Sequence, residues 1–224
     1  MKKRENLELC TATALLFAFL LWTVLLRFVD VGAIGPNGSS VGFSTLNGFV
    51  MEVVGVNFTL YTVTDWLCLV PIAVAFAFAV CGLVQLVRQK NFFKVDRGIL
   101  QLGVFYVVVI FFYLLFENVV INYRPVLING VLEVSYPSST TLLVLTVMPT
   151  MATELCGFFK DKKYKYLINF ITLSFCAFML FSRIVSGVHW ISDIIGGSLL
   201  SLGLDIFYAF LVKKRKKREQ FTKK

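Results

Sequence analysis

The feature that most constrains this chain is a series of six apolar blocks, each long enough to cross a lipid bilayer. A helix needs about 20 residues to span the ~30 Å of hydrocarbon. Only helices and closed barrels satisfy their backbone hydrogen bonds inside lipid. The sequence therefore predicts an all-α polytopic membrane protein, with helices at about 9–29, 65–87, 99–120, 138–159, 167–187 and 190–212. Only 16% of the residues are charged, whereas soluble domains carry about 25%.

Basic residues settle the predicted orientation. Most of the 22 lysines and arginines lie in four segments, 2–4, 88–98, 160–166 and 213–224. With six spans, all four segments fall on one side of the membrane, and the positive-inside rule makes that side the cytoplasm. We therefore expect cytoplasmic termini in a plasma or inner membrane. The basic C-terminal segment is interpreted as an orientation signal that can bind anionic lipid headgroups, and no nucleic-acid partner is expected.

The chain is predicted to form one membrane domain over residues 1–224, with a core at 65–205 and a basic cytoplasmic tail at 213–224. The outer segment 30–64 contains a turn signal followed by apolar residues, which favours a short amphipathic helix over the outer mouth. The five cysteines form no CxxC pair, and a single histidine cannot complete a Cys/His zinc cluster. We therefore predict no metal site.

The single histidine, His189, stands six residues after Arg183 and four before Asp193. These residue types suit attack on a phosphate. An arginine binds and neutralises phosphate oxygens, and neutral imidazole can attack phosphorus to form a covalent intermediate. A carboxylate one helical turn away can orient the imidazole and stabilise its developing positive charge. Because membrane-like sequence flanks this segment, a lipid is the expected carrier of the phosphate.

Three short motifs follow one another on the predicted outer face: Arg124-Pro125, Pro137-Ser138-Ser139-Thr140, and the segment from Ser182-Arg183 to Asp193. In this order they resemble the type 2 phosphatidic-acid phosphatase superfamily, which also includes the vanadium haloperoxidases. The signatures of that family run K-x6-R-P, P-S-G-H and S-R-x5-H-x3-D. The third is complete here, and the resemblance covers about residues 65–205.

The resemblance implies roles for individual residues, with phosphate oxygens held by Arg124, Arg183, Ser138, Ser139 and backbone amides at the start of the fourth predicted helix. A helix N-terminus suits an anion because its free N–H groups point at it. By the same resemblance, His189 would form a phosphohistidine, Asp193 would orient it, and Gly187 would belong to the phosphate-binding set by leaving room for a close backbone approach near the phosphate. No metal or cofactor is implied, because the arginines supply the positive charge.

Two motif positions depart from the family. The histidine that protonates the leaving group is replaced by Thr140, which cannot act as a general acid near neutral pH. The lysine of the first motif is replaced by Glu117. Glu117 either pairs with Arg124 or Arg183, or donates a proton from a raised pKa in place of the missing histidine.

These features predict a lipid phosphate or diphosphate phosphatase that acts at the outer face through a phosphohistidine. A phosphate leaves a diphosphate more easily than an alcohol leaves a monoester, so the missing acid favours isoprenoid diphosphates. The alternative is a catalytically impaired protein that binds or carries lipids with phosphate headgroups. The expected partners are the lipid substrate and membrane lipids, and the sequence leaves the oligomeric state open.

Overall fold

A computed structural model describes residues 2–222 of the chain. The described residues form eight α-helices, two short 3-10 turns and no β-strand, in the order α1 (Lys2–Phe28), α2 (Ser44–Val54), α3 (Phe58–Leu67), α4 (Leu69–Gln89), α5 (Arg97–Asn118), α6 (Ser139–Phe158), α7 (Lys162–Val185) and α8 (Ile191–Thr222). Six stretches are long and apolar enough to cross a membrane, with α3 and α4 together making one of them. The prediction of an all-α, multi-pass membrane protein is confirmed.

The second span begins earlier than its apolar pattern predicts. Helix α3 starts at Phe58, where the Asn57 side chain caps the helix by accepting a hydrogen bond from the Leu60 amide at 2.9 Å. It continues across Cys68 into α4, so the apolar helical stretch covers 32 residues. Polar residues in its first turns obscure this start in a hydropathy profile. The short helix predicted within 30–64 is present as α2.

The bundle has two ends of different character. At one end, here called the site end, α6 and α8 begin and α1, α5 and α7 finish. The Ser138 amide donates to the Asp193 carbonyl at 3.1 Å there, and the Asn57 amide donates to the Ser186 carbonyl at 2.9 Å. At the opposite end, here called the basic end, Lys213 of α8 pairs with Glu8 of α1. The four basic segments predicted to share one side of the membrane therefore share one end of the bundle, as far as residues 2–222 are concerned.

Helix α8 lies in the middle of the bundle and packs against α1, α6 and α7. Its contact with the chain before α6 depends on two glycines. The Tyr136 ring packs against Gly196, and the Ser138 carbonyl and Thr141 side chain pack against Gly197, where any Cβ would crowd them. Tyr136 itself is 1% exposed, and its hydroxyl hydrogen-bonds Thr23 at 2.6 Å. This close packing fixes the start of α6 against the start of α8, where the second and third motifs meet.

Candidate phosphate-binding site

The three motifs, separated in sequence, converge at the site end. Arg124 comes from the connection after α5, Thr140 from the first turn of α6, and Arg183 from the last turn of α7. His189 lies in the short connection between α7 and α8, and Asp193 lies in the first turn of α8. All five side chains are buried, with exposures of 9% or less.

His189 and Asp193 face each other one helical turn apart. The His189 Nδ1 atom lies 3.9 Å from Asp193 Oδ2, which is an ion-pair distance and too long for a hydrogen bond. The carboxylate is held in place from both sides: Oδ2 accepts a hydrogen bond from the Trp190 amide at 3.1 Å and Oδ1 accepts one from Asn122 Nδ2 at 2.9 Å. Asp193 is therefore fixed beside Nδ1, where positive charge would develop.

The other nitrogen of the ring faces Arg124. Arg124 Nη1 lies 2.9 Å from His189 Nε2, and Nε donates to Glu133 Oε2 at 3.0 Å. A guanidinium has donors and no acceptor, so Nε2 must be the accepting nitrogen and the proton of a neutral ring lies on Nδ1, towards Asp193. This tautomer puts the lone pair on Nε2, where it accepts the Arg124 hydrogen bond.

Burial keeps His189 in the neutral form. It lowers the pKa of His189 well below the ordinary value of 6.5, and the positive charges of Arg124 and Arg183 lower it further. A neutral imidazole is the nucleophilic form. The site therefore holds its histidine ready to react at neutral pH.

Arg183 is the most completely buried cation of the site, at 1% exposure. Its Nη2 atom donates to the Thr140 hydroxyl and lies 3.4 Å from Asp65 Oδ1. Within residues 2–222, its Nε and Nη1 atoms have no hydrogen-bond partner although both are buried. Buried guanidinium donors without partners are costly, and an anion would satisfy them.

Tyr61 connects the two arginines. Its ring centre lies 5.1 Å from the Arg183 guanidinium carbon and 5.9 Å from that of Arg124. Both distances allow cation–π attraction. Two guanidinium groups repel each other, and the ring face offsets part of that repulsion without engaging any of their N–H groups.

The residues of the second motif, Pro137-Ser138-Ser139-Thr140, lie at two separate places. Ser138 caps α6, with its Oγ accepting from Thr141 Oγ1 at 3.0 Å, and Thr140 contacts Arg183. Ser139 lines a separate small cavity together with Glu117, and that lining includes neither arginine nor His189. The arginines instead have carboxylate partners in Glu133 and Asp65.

Gly187 occupies a conformation and a position that exclude a side chain. Its φ is +63°, and a Cβ there would overlap the Gly55 carbonyl oxygen. At Gly187 the backbone therefore lies close against the connection between α2 and α3. Through this contact that connection is held against the segment that carries His189.

Sequence reasoning missed four residues that shape the site: Tyr61, Asp65, Asn122 and Glu133. Tyr61 and Asp65 are four residues apart on α3 and so share a helix face, and an ionisable residue in an apolar helix is itself a signal of function. Asn122 and Glu133 flank the Arg-Pro motif in a connecting segment. Nothing in their spacing indicates which charged groups they contact.

This arrangement suits the binding of a phosphate and attack on its phosphorus. It contains unpaired guanidinium donors on Arg183, a neutral histidine whose Nε2 lone pair faces Arg124, and a fixed carboxylate behind that histidine. Over residues 2–222, no group of three or more His, Cys, Asp or Glu side chains is arranged to hold a metal ion.

The PAP2 superfamily model matches residues 102–217, which is just over half of the chain. The fold is similar to the crystal structure of a transmembrane PAP2-type phosphatidylglycerolphosphate phosphatase from Bacillus subtilis, with a TM-score of 0.56 and 20% sequence identity over 92% of this chain and 96% of that one. The comparison with curated proteins gave no match. The family predicted from the three motifs is confirmed, and the chain belongs to the PAP2 superfamily.

Proposed function

We propose that this protein is a membrane phosphatase that removes phosphate from lipid phosphates or diphosphates. The observation that carries the proposal is the pair of unpaired, buried donors on Arg183 close to a neutral His189. A tetrahedral phosphate would satisfy those donors through its non-bridging oxygens. Membership of the PAP2 superfamily supports the same reaction class.

The proposed reaction has two steps. Nε2 of His189 attacks phosphorus in line with the leaving oxygen, so that an N–P bond forms as the P–O bond breaks. Arg124, which donates to Nε2 in the free protein, would turn its Nη1 to a phosphate oxygen. Asp193 stabilises the positive imidazolium through Nδ1. Water then attacks the phosphohistidine, releasing inorganic phosphate and restoring the neutral ring.

The leaving group sets the proposed substrate preference. Thr140 stands where the family signature has its acid, and its hydroxyl accepts a hydrogen bond from Arg183. Glu117, the other candidate acid, lines a cavity whose lining includes neither of the two arginines nor His189. A leaving group that needs little protonation, such as the phosphate of an isoprenoid diphosphate, therefore fits this site better than an alkoxide.

The proposed setting is the outer leaflet of a plasma or inner membrane. The basic segments 88–98 and 160–166 and the end of α8 lie at the end of the bundle opposite His189. If that end faces the cytoplasm, as the positive-inside rule predicts, the site opens outward. An outward site at headgroup depth selects lipid phosphates over cytosolic phosphoproteins.

The second candidate is a protein that binds phosphate-headgroup lipids without turnover. Thr140 in place of the general acid is the observation that favours it. Such a protein would retain phosphate affinity through Arg124 and Arg183. It would release no phosphate and form no phosphohistidine.

The test is phosphate release by the purified protein in lipid nanodiscs. The substrates are an isoprenoid diphosphate, phosphatidic acid and phosphatidylglycerol phosphate, and His189→Asn and Arg183→Gln are the variants. We expect release that is lost in His189→Asn, is inhibited by orthovanadate, and is fastest with the diphosphate. Release that persists in His189→Asn would refute the proposed nucleophile. Folded protein that binds these lipids without releasing phosphate would establish the binding function instead.

Quenching the reaction in alkali and mapping the phosphorylated peptide tests the intermediate. Phosphohistidine survives alkali and is lost in acid, so an alkali-stable, acid-labile label on the peptide containing His189 is expected. Label on another residue would refute the mechanism while leaving the hydrolase function intact.

A further inference from the structure

The basic end carries a cleft that the proposed reaction does not use. It has a volume of about 360 Å³ and is formed between the start of α5 and the end of α8, with a lining of Arg97, Gln101, Leu211, Lys214, Arg215 and Arg218. Four of these six residues are cationic. Residue 215 lies 24 positions along α8 from its first residue, Ile191, which is roughly 36 Å at 1.5 Å per residue. The cleft is therefore remote from His189.

One cation of the cleft is held rigidly by a buried network. Arg215 Nη2 donates to both carboxylate oxygens of Glu154, at 3.1 and 2.8 Å, and its Nη1 donates to Gln101 at 3.0 Å. The Tyr208 hydroxyl also donates to Glu154, at 2.6 Å. Glu154 neutralises Arg215, so the excess positive charge of the lining comes from its other cationic residues, Arg97 and Lys214 among them.

An apolar groove continues from this cleft. Its volume is about 640 Å³, and Gln101 and Leu211 line both spaces. The groove lies between α1, α5 and α8, and its lining includes Leu16, Val104, Val108, Phe112 and Leu204. It contains a single carbonyl-bearing side chain, Gln101, and one hydroxyl, Thr13. The apolar groove thus opens into the cationic cleft.

The length of the groove matches one leaflet. Along α5 its lining extends from Leu100 to Phe112, which is roughly 18 Å at 1.5 Å per residue. Half of a ~30 Å hydrocarbon layer is about 15 Å. The groove therefore reaches from the basic end to about the middle of the bilayer, as an acyl chain of one lipid does.

We propose that this cleft and groove form a binding site for an anionic glycerophospholipid of the leaflet at the basic end. The phosphate lies in the cleft near Arg97, Lys214 and Arg218, and one acyl chain lies in the groove. A zwitterionic lipid can fill the groove equally well, but the positive ammonium group of its headgroup is repelled by the cations of the cleft. The site is independent of the reaction at His189 and selects its lipid by the headgroup.

The headgroup contribution is tested by native mass spectrometry of the full chain, with phosphatidylglycerol or phosphatidylcholine as the added lipid. The double variant Arg97→Gln/Lys214→Gln is compared with Lys162→Gln/Lys163→Gln, which removes the same charge from exposed positions at the same end. We expect about a thirtyfold loss of phosphatidylglycerol affinity in the first variant only. Equal affinities in the two variants, or equal binding of the two lipids by the unmodified protein, would overturn the proposal.

The acyl-chain contribution is tested by filling the groove. Val104 lines it, whereas Val107 on the same helix does not, and the two side chains are 68% and 65% exposed. We expect Val104→Trp to weaken phosphatidylglycerol binding and Val107→Trp to leave it unchanged. Binding of inorganic phosphate as tight as that of phosphatidylglycerol would show an anion site instead. Dimerisation that Val104→Trp abolishes would show that a second copy fills the groove, and either result would overturn the lipid site.

Discussion

Replacing Thr140 with histidine should restore the missing half of the proposed mechanism. General acid catalysis contributes about 10²–10⁴-fold. Part of this gain is lost, because the charge of Arg183, whose guanidinium donates to the Thr140 hydroxyl, opposes protonation of a nearby imidazole. We therefore expect turnover of phosphatidic acid to rise about tenfold to a hundredfold in Thr140→His, and turnover of an isoprenoid diphosphate to rise by less than about threefold.

The substitution also has a structural cost. Thr140 is 4% exposed, and a larger ring at a packed position costs about 1–3 kcal/mol. Phosphate release in nanodiscs and thermal unfolding in detergent therefore have to be measured on the same samples, with Thr140→Asn as the control that changes size without adding an acid. The reasoning is refuted if a folded Thr140→His variant gains nothing, or if both substrates gain by the same factor.

Three further outcomes follow from the packing and charges. Gly187→Ala should lower the melting temperature and the activity, because the added Cβ would overlap the Gly55 carbonyl oxygen and the backbone φ is +63°. Gly38→Ala is the control: its φ is +73° and the space around it is open, so it should bear only the backbone cost of about 1 kcal/mol. Because the pKa of buried His189 lies well below 6.5, kcat/KM should stay flat from pH 8 to below 6.5. Unfolding exposes a histidine that binds a proton near that value, so stability should fall as the pH drops below it; an activity loss centred at 6.5 or above would contradict the burial argument. Glu154→Gln should lower the unfolding free energy by about 1–3 kcal/mol, since it leaves the partly buried Arg215 without its carboxylate, whereas exposed Glu117→Gln should cost less than about 0.5 kcal/mol in chemical unfolding.

The separation of Glu117 from the site shows a limit of motif spacing. Seven residues before Arg124, it occupies the position of a family lysine, and that spacing predicts that it pairs with Arg124 or Arg183 or donates a proton. In the fold, α5 ends at Asn118 and the chain then leaves the helix, so the spacing between Glu117 and Arg124 carries no fixed direction. Glu117 and Ser139 share a cavity of their own, and Glu133 takes the place beside Arg124.

The sequence by itself determined the features that depend on local order along the chain. Apolar blocks of membrane-spanning length determined the number of spans, and the fixed spacing of Arg183, His189 and Asp193 across one helix junction indicated the candidate reactive group. Spacing is informative there because a helix end and a helix start hold those residues at set angles.

Only the tertiary structure decided which groups from distant elements meet. The stacking of Tyr61 on both arginines, the unpaired donors of Arg183 and the union of a basic cleft with an apolar groove each join residues from different helices. Their contacts depend on the packing of α8 against α1 and α6, which the small side-chain-free surfaces of Gly196 and Gly197 allow. Such packing sets which side chains of different helices come into contact, and no local pattern in the chain encodes those contacts.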